Sequence, residues 1–152
     1  MSAKIIFENL ATAAAGETGK EAAAGGVIAA VGTFISAKLG GWDIALSLLV
    51  YLMIADYVTG ILGAIKNKNL NSEVMFWGGV RKAIVLLVVF LAVQLDQFVG
   101  GQAPIFRTLA LYFYAGREGL SVVENMGILG VQWPPAVQSI LEQLKQKGEG
   151  KQ

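Results

Sequence analysis

The chain has 152 residues, of which 55% are hydrophobic and 15% are charged, and its formal net charge is +1. A soluble domain usually carries about 25% charged residues, so this composition disfavours a water-soluble fold, and the near-zero charge disfavours a nucleic-acid-binding protein. Cysteine and histidine are both absent, which excludes disulfides, zinc sites of the usual ligands and the histidine-dependent hydrolases.

The same absences predict that the protein is not an enzyme and holds no cofactor or metal. No glycine-rich phosphate loop of the P-loop or dinucleotide type is present. The fold class predicted from composition is all-α, a polytopic membrane helical bundle with three to four embedded segments and an amphipathic C-terminal helix.

Residues 1–21 are predicted to form an N-terminal arm, either mobile or lying at the membrane interface as a weakly amphipathic helix. The apolar patch at residues 5–7 is too short for the core of a signal peptide, so no cleavage is expected.

The first apolar segment is predicted to span the bilayer over residues 22–42, with Trp42 as an interface anchor. Gly25, Ala29 and Thr33 recur at every fourth position, a spacing that lets membrane helices approach closely. The segment is either a self-association face or simply a weakly hydrophobic span.

The second segment, residues 44–65, is strongly apolar and carries one charge, Asp56, near its middle. Small residues follow that carboxylate, and we expect close helix contact there. These residues are Thr59, Gly60 and Gly63.

A polar loop leads to a third predicted span over residues 79–99, with Ser72 and Glu73 resembling a helix start. Trp77 precedes this span and is predicted to anchor at the interface. The fourth predicted segment, residues 104–125, is interrupted by Arg117 and Glu118.

A glycine-rich break separates that segment from residues 126–152, which are predicted to form a cytoplasmic helix and basic tail. Trp133 and the two prolines after it indicate a helix start, with Trp133 as a third interface anchor. The predicted domains are therefore the arm at 1–21, a transmembrane domain at 22–125 and this C-terminal part.

The distribution of lysine and arginine sets the predicted orientation. Four embedded segments put ten basic residues on the side of both termini and two on the other side, which places both termini in the cytoplasm. Three spans would divide the basic residues evenly. The residues that set the orientation include Lys66, Lys68, Arg81 and Lys82.

A carboxylate at mid-membrane costs about 2.5–3.5 kcal/mol on insertion scales, so Asp56 requires a partner or water. Asp56 and Arg117 each lie 13 residues from the outer end of their segments, and we expect them to pair at one depth, with Glu118 beside them. Glu124 completes the predicted intramembrane polar cluster. The pair either locks the bundle or lines a water path.

Four ordered stretches together resemble the phage-lysis and toxin-secretion holin family. They are Asp-Tyr-Val-Thr-Gly at 56–60, Arg81-Lys82, Glu-Gly-Leu-Ser-Val-Val-Glu-Asn at 118–125, and Gly-Val-Gln-Trp-Pro-Pro at 130–135. The resemblance covers residues 42–144, whereas the glycine- and alanine-rich first segment lies outside it.

This resemblance implies a protein that homo-oligomerises in the bacterial inner membrane and forms lesions that release an endolysin or a toxin, without binding that cargo directly. Two other functions remain open from the residues alone. One is a small ion or proton channel, or a transporter subunit, that uses Asp56. The other is a membrane anchor that recruits a soluble partner through the helix at 134–147. Only the first function lets protein-sized molecules out of the cell.

Overall fold

The computed structural model describes residue 5 and residues 20–100 and 103–150. Within these residues the chain is all-α, as the sequence predicts, with five helices and no strand. The helices are α1 (Lys20–Lys38), α2 (Ile44–Lys66), α3 (Ser72–Val99), α4 (Ile105–Leu129) and α5 (Pro135–Gly148). The chain divides into two compact units, Met1–Lys38, which contains α1, and Leu39–Gln152, which contains the other four helices.

The first helix ends earlier than predicted. The sequence placed a continuous segment over residues 22–42, but α1 stops at Lys38. Gly40 and Gly41 follow with φ angles of +84° and +96°, a left-handed conformation that helices do not continue through. The predicted N-terminal arm lies almost entirely outside the described residues.

The second helix covers the predicted second segment and is capped at both ends. The Asp43 carboxylate accepts a hydrogen bond from the backbone N–H of Leu46 at 2.8 Å, which satisfies one of the free N–H groups of the first turn. At the other end, Asn67 donates its backbone N–H to the carbonyl of Gly63.

The third helix begins well before the predicted span, at Ser72. Its cap is Asn71 and not Ser72 as predicted, because the Asn71 side chain accepts from the backbone N–H of Glu73 at 2.8 Å. The helix runs for 28 residues to Val99, about 42 Å, which exceeds the roughly 30 Å thickness of a bilayer's hydrocarbon core.

The last two helices pack against each other along most of α5. A methyl group added at Gly116 of α4 would lie 2.5 Å from the backbone nitrogen of Lys145, and one at Gly119 would lie 2.5 Å from the Leu141 side chain. Gly148, at the end of α5, adjoins Phe113. The close approach requires glycine, and it carries α5 back along α4 toward the beginning of that helix.

Within the described residues, α2 and α3 are long and apolar enough to cross a membrane. Their large apolar side chains mostly point away from the bundle: Tyr51 is 65% exposed and Leu87 is 53% exposed. A core helix of a soluble protein buries such side chains, so these surfaces are suited to lipid. Two of the described helices thus qualify as spans by length and composition, and the three to four spans predicted from the sequence stay a prediction.

An apolar core holds α2, α3 and α4 together near the Asp43 end of α2. Leu46, Leu49, Val89 and Leu111 are almost completely buried there. Met53 and Val85 belong to the same core. The polar residues of the candidate site begin one helical turn beyond these two residues, on the side away from Asp43.

Candidate functional site

Three polar side chains meet between α2, α3 and α4, one turn from the apolar core. Asp56 follows Met53 on α2, Lys82 precedes Val85 on α3, and Glu118 lies on the buried face of α4. Each helix therefore contributes one charged group at the same level, and we call Asp56, Lys82 and Glu118 the charged triad.

Lys82 bridges the two carboxylates of the triad. Its Nζ donates to Oδ2 of Asp56 at 2.6 Å and also to Oε2 of Glu118. The three side chains are only 10–18% exposed. A buried carboxylate without a partner is strongly destabilising, so the ammonium group makes it possible to bury both acids between the helices.

Asn125 provides a further hydrogen bond to the Asp56 carboxylate. Its Nδ2 donates to Oδ1 of Asp56 at 2.9 Å and to the Thr59 hydroxyl at 3.2 Å. Thr59 in turn donates to the carbonyl of Ala55 at 2.7 Å. Both carboxylate oxygens of Asp56 therefore accept hydrogen bonds, and no buried side-chain polar atom among the described residues lacks a partner.

The predicted pairing of Asp56 with Arg117 is wrong. The ion-pair partner of Asp56 is Lys82, and Arg117 is exposed. The depth argument placed the two residues at the same level, but the buried face of α4 is set by Ala115 and Glu118, which rotates Arg117 away from Asp56. Glu124 is also exposed and lies outside the triad.

A cavity of about 490 Å³ adjoins the triad. Besides the triad, the polar residues that line it are Tyr57, Asn69, Asn71, Arg81, Tyr114, Arg117, Ser121 and Asn125. Asn69 and Asn71 belong to the loop between α2 and α3, so one end of the cavity lies at that loop. The described residues contain no group of three metal-ligating side chains that could hold a metal ion.

A second buried cation, Arg107, fixes the connection that precedes α2. Its Nε donates to the Leu39 carbonyl at 2.7 Å, Nη1 to Oδ2 of Asp43 at 2.7 Å and Nη2 to the Gly41 carbonyl at 3.1 Å. The hydrogen bond from Arg107 lowers the pKa of the Asp43 carboxyl, an effect that burial partly opposes. In the predicted orientation Arg107 is one of the two basic residues on the side opposite the termini, and no structural role was predicted for it.

Arg107 is itself held in place by Asp96. The two oxygens of that carboxylate accept from the backbone N–H groups of Phe106 and Arg107, each at 2.8 Å. Asp96 therefore caps the first turn of α4 and joins the end of α3 to it.

The small residues predicted on α2 lie against α4. A methyl group at Gly60 would lie 3.6 Å from Nδ2 of Asn125, and one at Gly63 would lie 3.5 Å from a methyl carbon of Ile128. Close by, the Lys66 ammonium donates to the carbonyl of Ile128 at 2.7 Å.

The other predicted residues are distributed over the surface and α1. Trp42, Trp77, Lys68 and Arg81 are exposed, and Trp133 is half-buried. In α1 the Thr33 hydroxyl donates to the carbonyl of Ala29 at 2.8 Å, and Gly25 lies one turn before Ala29.

A hydrogen-bonding role for Asn125 inside the bundle was predictable from the sequence and is confirmed, whereas the role of Lys82 was missed although a signal for it was present. Lys82 is the eleventh residue of α3 once the helix start at Ser72 is extended into the apolar run, which places it within the bundle. Glu118 and Asn125 are seven residues apart and share one helical face.

The chain is similar to known proteins over most of its length. A model of the bacteriophage holin family matches residues 33–146. An uncharacterized 14.9 kDa protein of Clostridium perfringens is 38% identical over 79% of this chain and 91% of its own length. A protein of Bacillus phage phi105 named a probable holin is 33% identical over 70% of this chain and 78% of its own.

A third relative covers a similar share of the chain. An uncharacterized protein of Clostridium acetobutylicum is 32% identical over 81% of this chain and 98% of its own length. No solved structure matches the chain. The family match includes all three residues of the charged triad and the helices that carry them.

Proposed function

Because this chain belongs to the bacteriophage holin family, we propose that it is a holin-like, pore-forming protein and not an enzyme. In this function it homo-oligomerises in the bacterial inner membrane and opens a lesion that releases an endolysin or a toxin. The cargo crosses the lesion without being bound. The observation that carries the proposal is the charged triad buried among helices whose outer faces are apolar.

The triad gives the bundle a polar face that it can turn toward water. In the single chain, the apolar core around Leu49, Val89 and Leu111 closes the bundle on one side of the triad. A water-filled lesion requires the helices to separate at that core and to present Asp56, Lys82 and Glu118 to the pore. The surrounding chains then cover the apolar outer faces, as in other helical membrane assemblies.

The small-residue positions support assembly in the same proposal. The line Gly25, Ala29 and Thr33 on α1 supplies a face for contact between chains, whereas Thr59, Gly60 and Gly63 keep α2 close to α4 within one chain. Trp42, Trp77 and Trp133 anchor the helices at the interfaces.

We further propose four embedded segments with both termini in the cytoplasm, from the ten-to-two distribution of basic residues. In this topology residues 22–125 form the membrane domain and residues 126–152 the cytoplasmic part. Because Gly148 adjoins Phe113, full embedding of α4 requires α5 to leave the Gly116–Gly119 face. Detachment of α5 is therefore a step toward the lesion.

The test is lysis on induction. The full chain is expressed in bacteria together with an endolysin that lacks a secretion signal and accumulates in the cytoplasm. We expect culture turbidity to fall abruptly after a lag, with the endolysin recovered in the medium. A culture that keeps growing while the chain is stably inserted in its inner membrane would contradict the proposal.

A size-graded readout separates the proposal from a small channel. A protein-sized fluorescent reporter in the cytoplasm should appear in the medium together with small ions. If only ions pass, the protein conducts but does not release endolysin, and the alternative that uses Asp56 for ion passage replaces the proposal.

A further inference from the structure

The cavity beside the triad contains two arginine side chains that the bundle itself does not use. Arg81 from α3 and Arg117 from α4 both line it. Among residues 20–100 and 103–150, the cations that form ion pairs are Lys82 and Arg107. Within the same residues, the guanidinium groups of Arg81 and Arg117 form neither an ion pair nor a hydrogen bond. Two cations thus face one cavity whose carboxylates, Asp56 and Glu118, are both paired with Lys82, and neither arginine has an anionic partner among the described residues.

The charges that line the cavity do not balance. Lys82 between two carboxylates leaves the triad with one negative charge in excess, and Arg81 and Arg117 add two positive charges. The cavity therefore carries a net charge of about +1. Unpaired cations at membrane depth are expensive, and a single bound monoanion would neutralise the excess.

The length of α3 places this cavity near the level of lipid headgroups. Helix α3 has 28 residues, so its first eight or so extend beyond a hydrocarbon core of roughly 30 Å when Val99 lies at the opposite boundary. Arg81 then lies close to the boundary on the side of the loop that contains Asn69 and Asn71. The phosphate groups of that leaflet lie at the same depth.

From this charge, depth and shape we propose that the cavity binds the phosphodiester of an anionic phospholipid from the leaflet on the side of the loop between α2 and α3. The guanidinium groups of Arg81 and Arg117 hold the phosphate, since the planar guanidinium matches two phosphate oxygens at once. Basic pockets between membrane helices commonly bind such headgroups. Ser121 and Tyr114 line the same cavity and supply hydroxyl groups to the headgroup.

The experiment measures lipid binding to the purified full-length chain in a neutral detergent. Phosphatidylglycerol, phosphatidylcholine of the same acyl chains and inorganic phosphate are titrated separately, and binding is followed by native mass spectrometry and by the thermal unfolding midpoint. We expect phosphatidylglycerol to bind and to raise the midpoint, with little effect of the other two. Substituting Arg81→Gln together with Arg117→Gln should weaken this binding at least about tenfold.

The matched control is Lys68→Gln, which removes one exposed positive charge outside the cavity at the same end of the bundle. It should bind phosphatidylglycerol as the unaltered chain does. If the double variant does not fold, the single variants Arg81→Lys and Arg117→Lys replace it. Each variant keeps the positive charge but lacks the planar guanidinium group, so each should bind phosphatidylglycerol more weakly.

Three results would overturn the proposal. Equal binding of phosphatidylglycerol by the arginine variants would show that the cavity is not the site. Equal binding of phosphatidylcholine would remove the requirement for an anion. A midpoint shift with inorganic phosphate that matches the shift with lipid would assign the site to free phosphate. Because the binding experiment uses the purified chain and does not measure lysis, its outcome is independent of the proposed function.

Discussion

Lys82 is the residue on which the interior of the bundle depends most directly. Its ammonium group contacts two carboxylates from two other helices, and all three side chains are largely buried. When one partner of such a group is removed, the remaining charges stay buried without compensation. The three helices are therefore held in register by charge as well as by the apolar core.

Replacing Lys82 with methionine should lower the free energy of unfolding by about 3 kcal/mol or more, because Asp56 and Glu118 lose their common cation. The measurement is denaturant or thermal unfolding of the purified chain in detergent. Lys68→Met is the control, since Lys68 is exposed and the substitution should change stability little.

A combined variant checks the reason for that loss. Adding Asp56→Asn and Glu118→Gln to Lys82→Met removes the two carboxylates, and stability should recover in large part. If the triple variant is as unstable as the sum of the three single changes, the triad does not act as a unit.

Gly40 should be far less tolerant of a side chain than its neighbour Gly41. Both have positive φ, so alanine is strained at either position, by about 1–2 kcal/mol. At Gly40 the new methyl would also lie 2.6 Å from Nε of Arg107, whereas at Gly41 it would meet nothing within 4 Å. Unfolding midpoints should therefore fall more for Gly40→Ala, and equal losses would contradict the arginine contact.

Asp43 should contribute a measurable acid dependence. Arg107 lowers the pKa of its carboxyl in the folded state, so the stabilisation is complete above the pKa of the unfolded chain and is lost as the pH falls through the folded value. Asp43→Asn keeps an acceptor for the helix cap but removes this titration. Midpoints measured from about pH 6 to about pH 2 should fall less steeply for the variant.

The helices themselves follow from the sequence because apolar runs between charged or glycine ends are strong signals. The second predicted segment and α2 nearly coincide, as both are bounded by Asp43 and by Lys66. The depth of each residue, counted along its helix, placed Asp56, Arg117 and Glu118 at one level. Depth does not specify rotation, however, and this is why Arg117 was chosen instead of Lys82 as the partner of Asp56.

The hydrogen bonds of the Arg107 guanidinium could not be predicted from the sequence, for a different reason. Two of its acceptors are the backbone carbonyls of Leu39 and Gly41, far away in the chain. Every residue has such a carbonyl, so no side-chain pattern identifies the ones that an arginine will reach. The break at Gly40 and Gly41 was visible as a Gly-Gly pair, but the roughly 20 residues that a span needs and the nearby Trp42 favoured a longer segment.

The contact between α4 and α5 depends on Gly116. Alanine there would meet the backbone of α5, which cannot move aside as a flexible side chain could. We expect Gly116→Ala to loosen α5 and to speed tryptic cleavage at Lys145 and Lys147. Gly127→Ala is the matched control within the same helix, because its new methyl meets nothing within 4 Å, and its cleavage should be unchanged.

The same variant links this element to the proposed lesion. If detachment of α5 is a step toward opening, Gly116→Ala should lyse induced cells earlier than the unaltered chain. Faster cleavage without earlier lysis would separate α5 from the opening step, and unchanged cleavage would contradict the packing itself.

For the molecule as a whole, a charged cluster is buried while many large apolar side chains are exposed, a combination that a soluble protein disfavours. Charges occupy the interior at Asp56, Lys82 and Glu118, while apolar side chains such as Ile54 and Leu91 remain at least half exposed. This arrangement is stable only where lipid or other chains cover the outside. Under the proposed function, the triad would also supply the polar surface of the pore once the helices separate.

The most direct test of the central claim is release from liposomes that contain the purified full-length chain and trapped dyes of graded size. The holin-like account predicts that, at high protein density, dextrans as large as a small protein escape together with the smallest dye. It also predicts that Lys82→Met changes the onset of release while Lys68→Met does not. Release restricted to ions and small dyes at every density, with chains fully inserted, would contradict it.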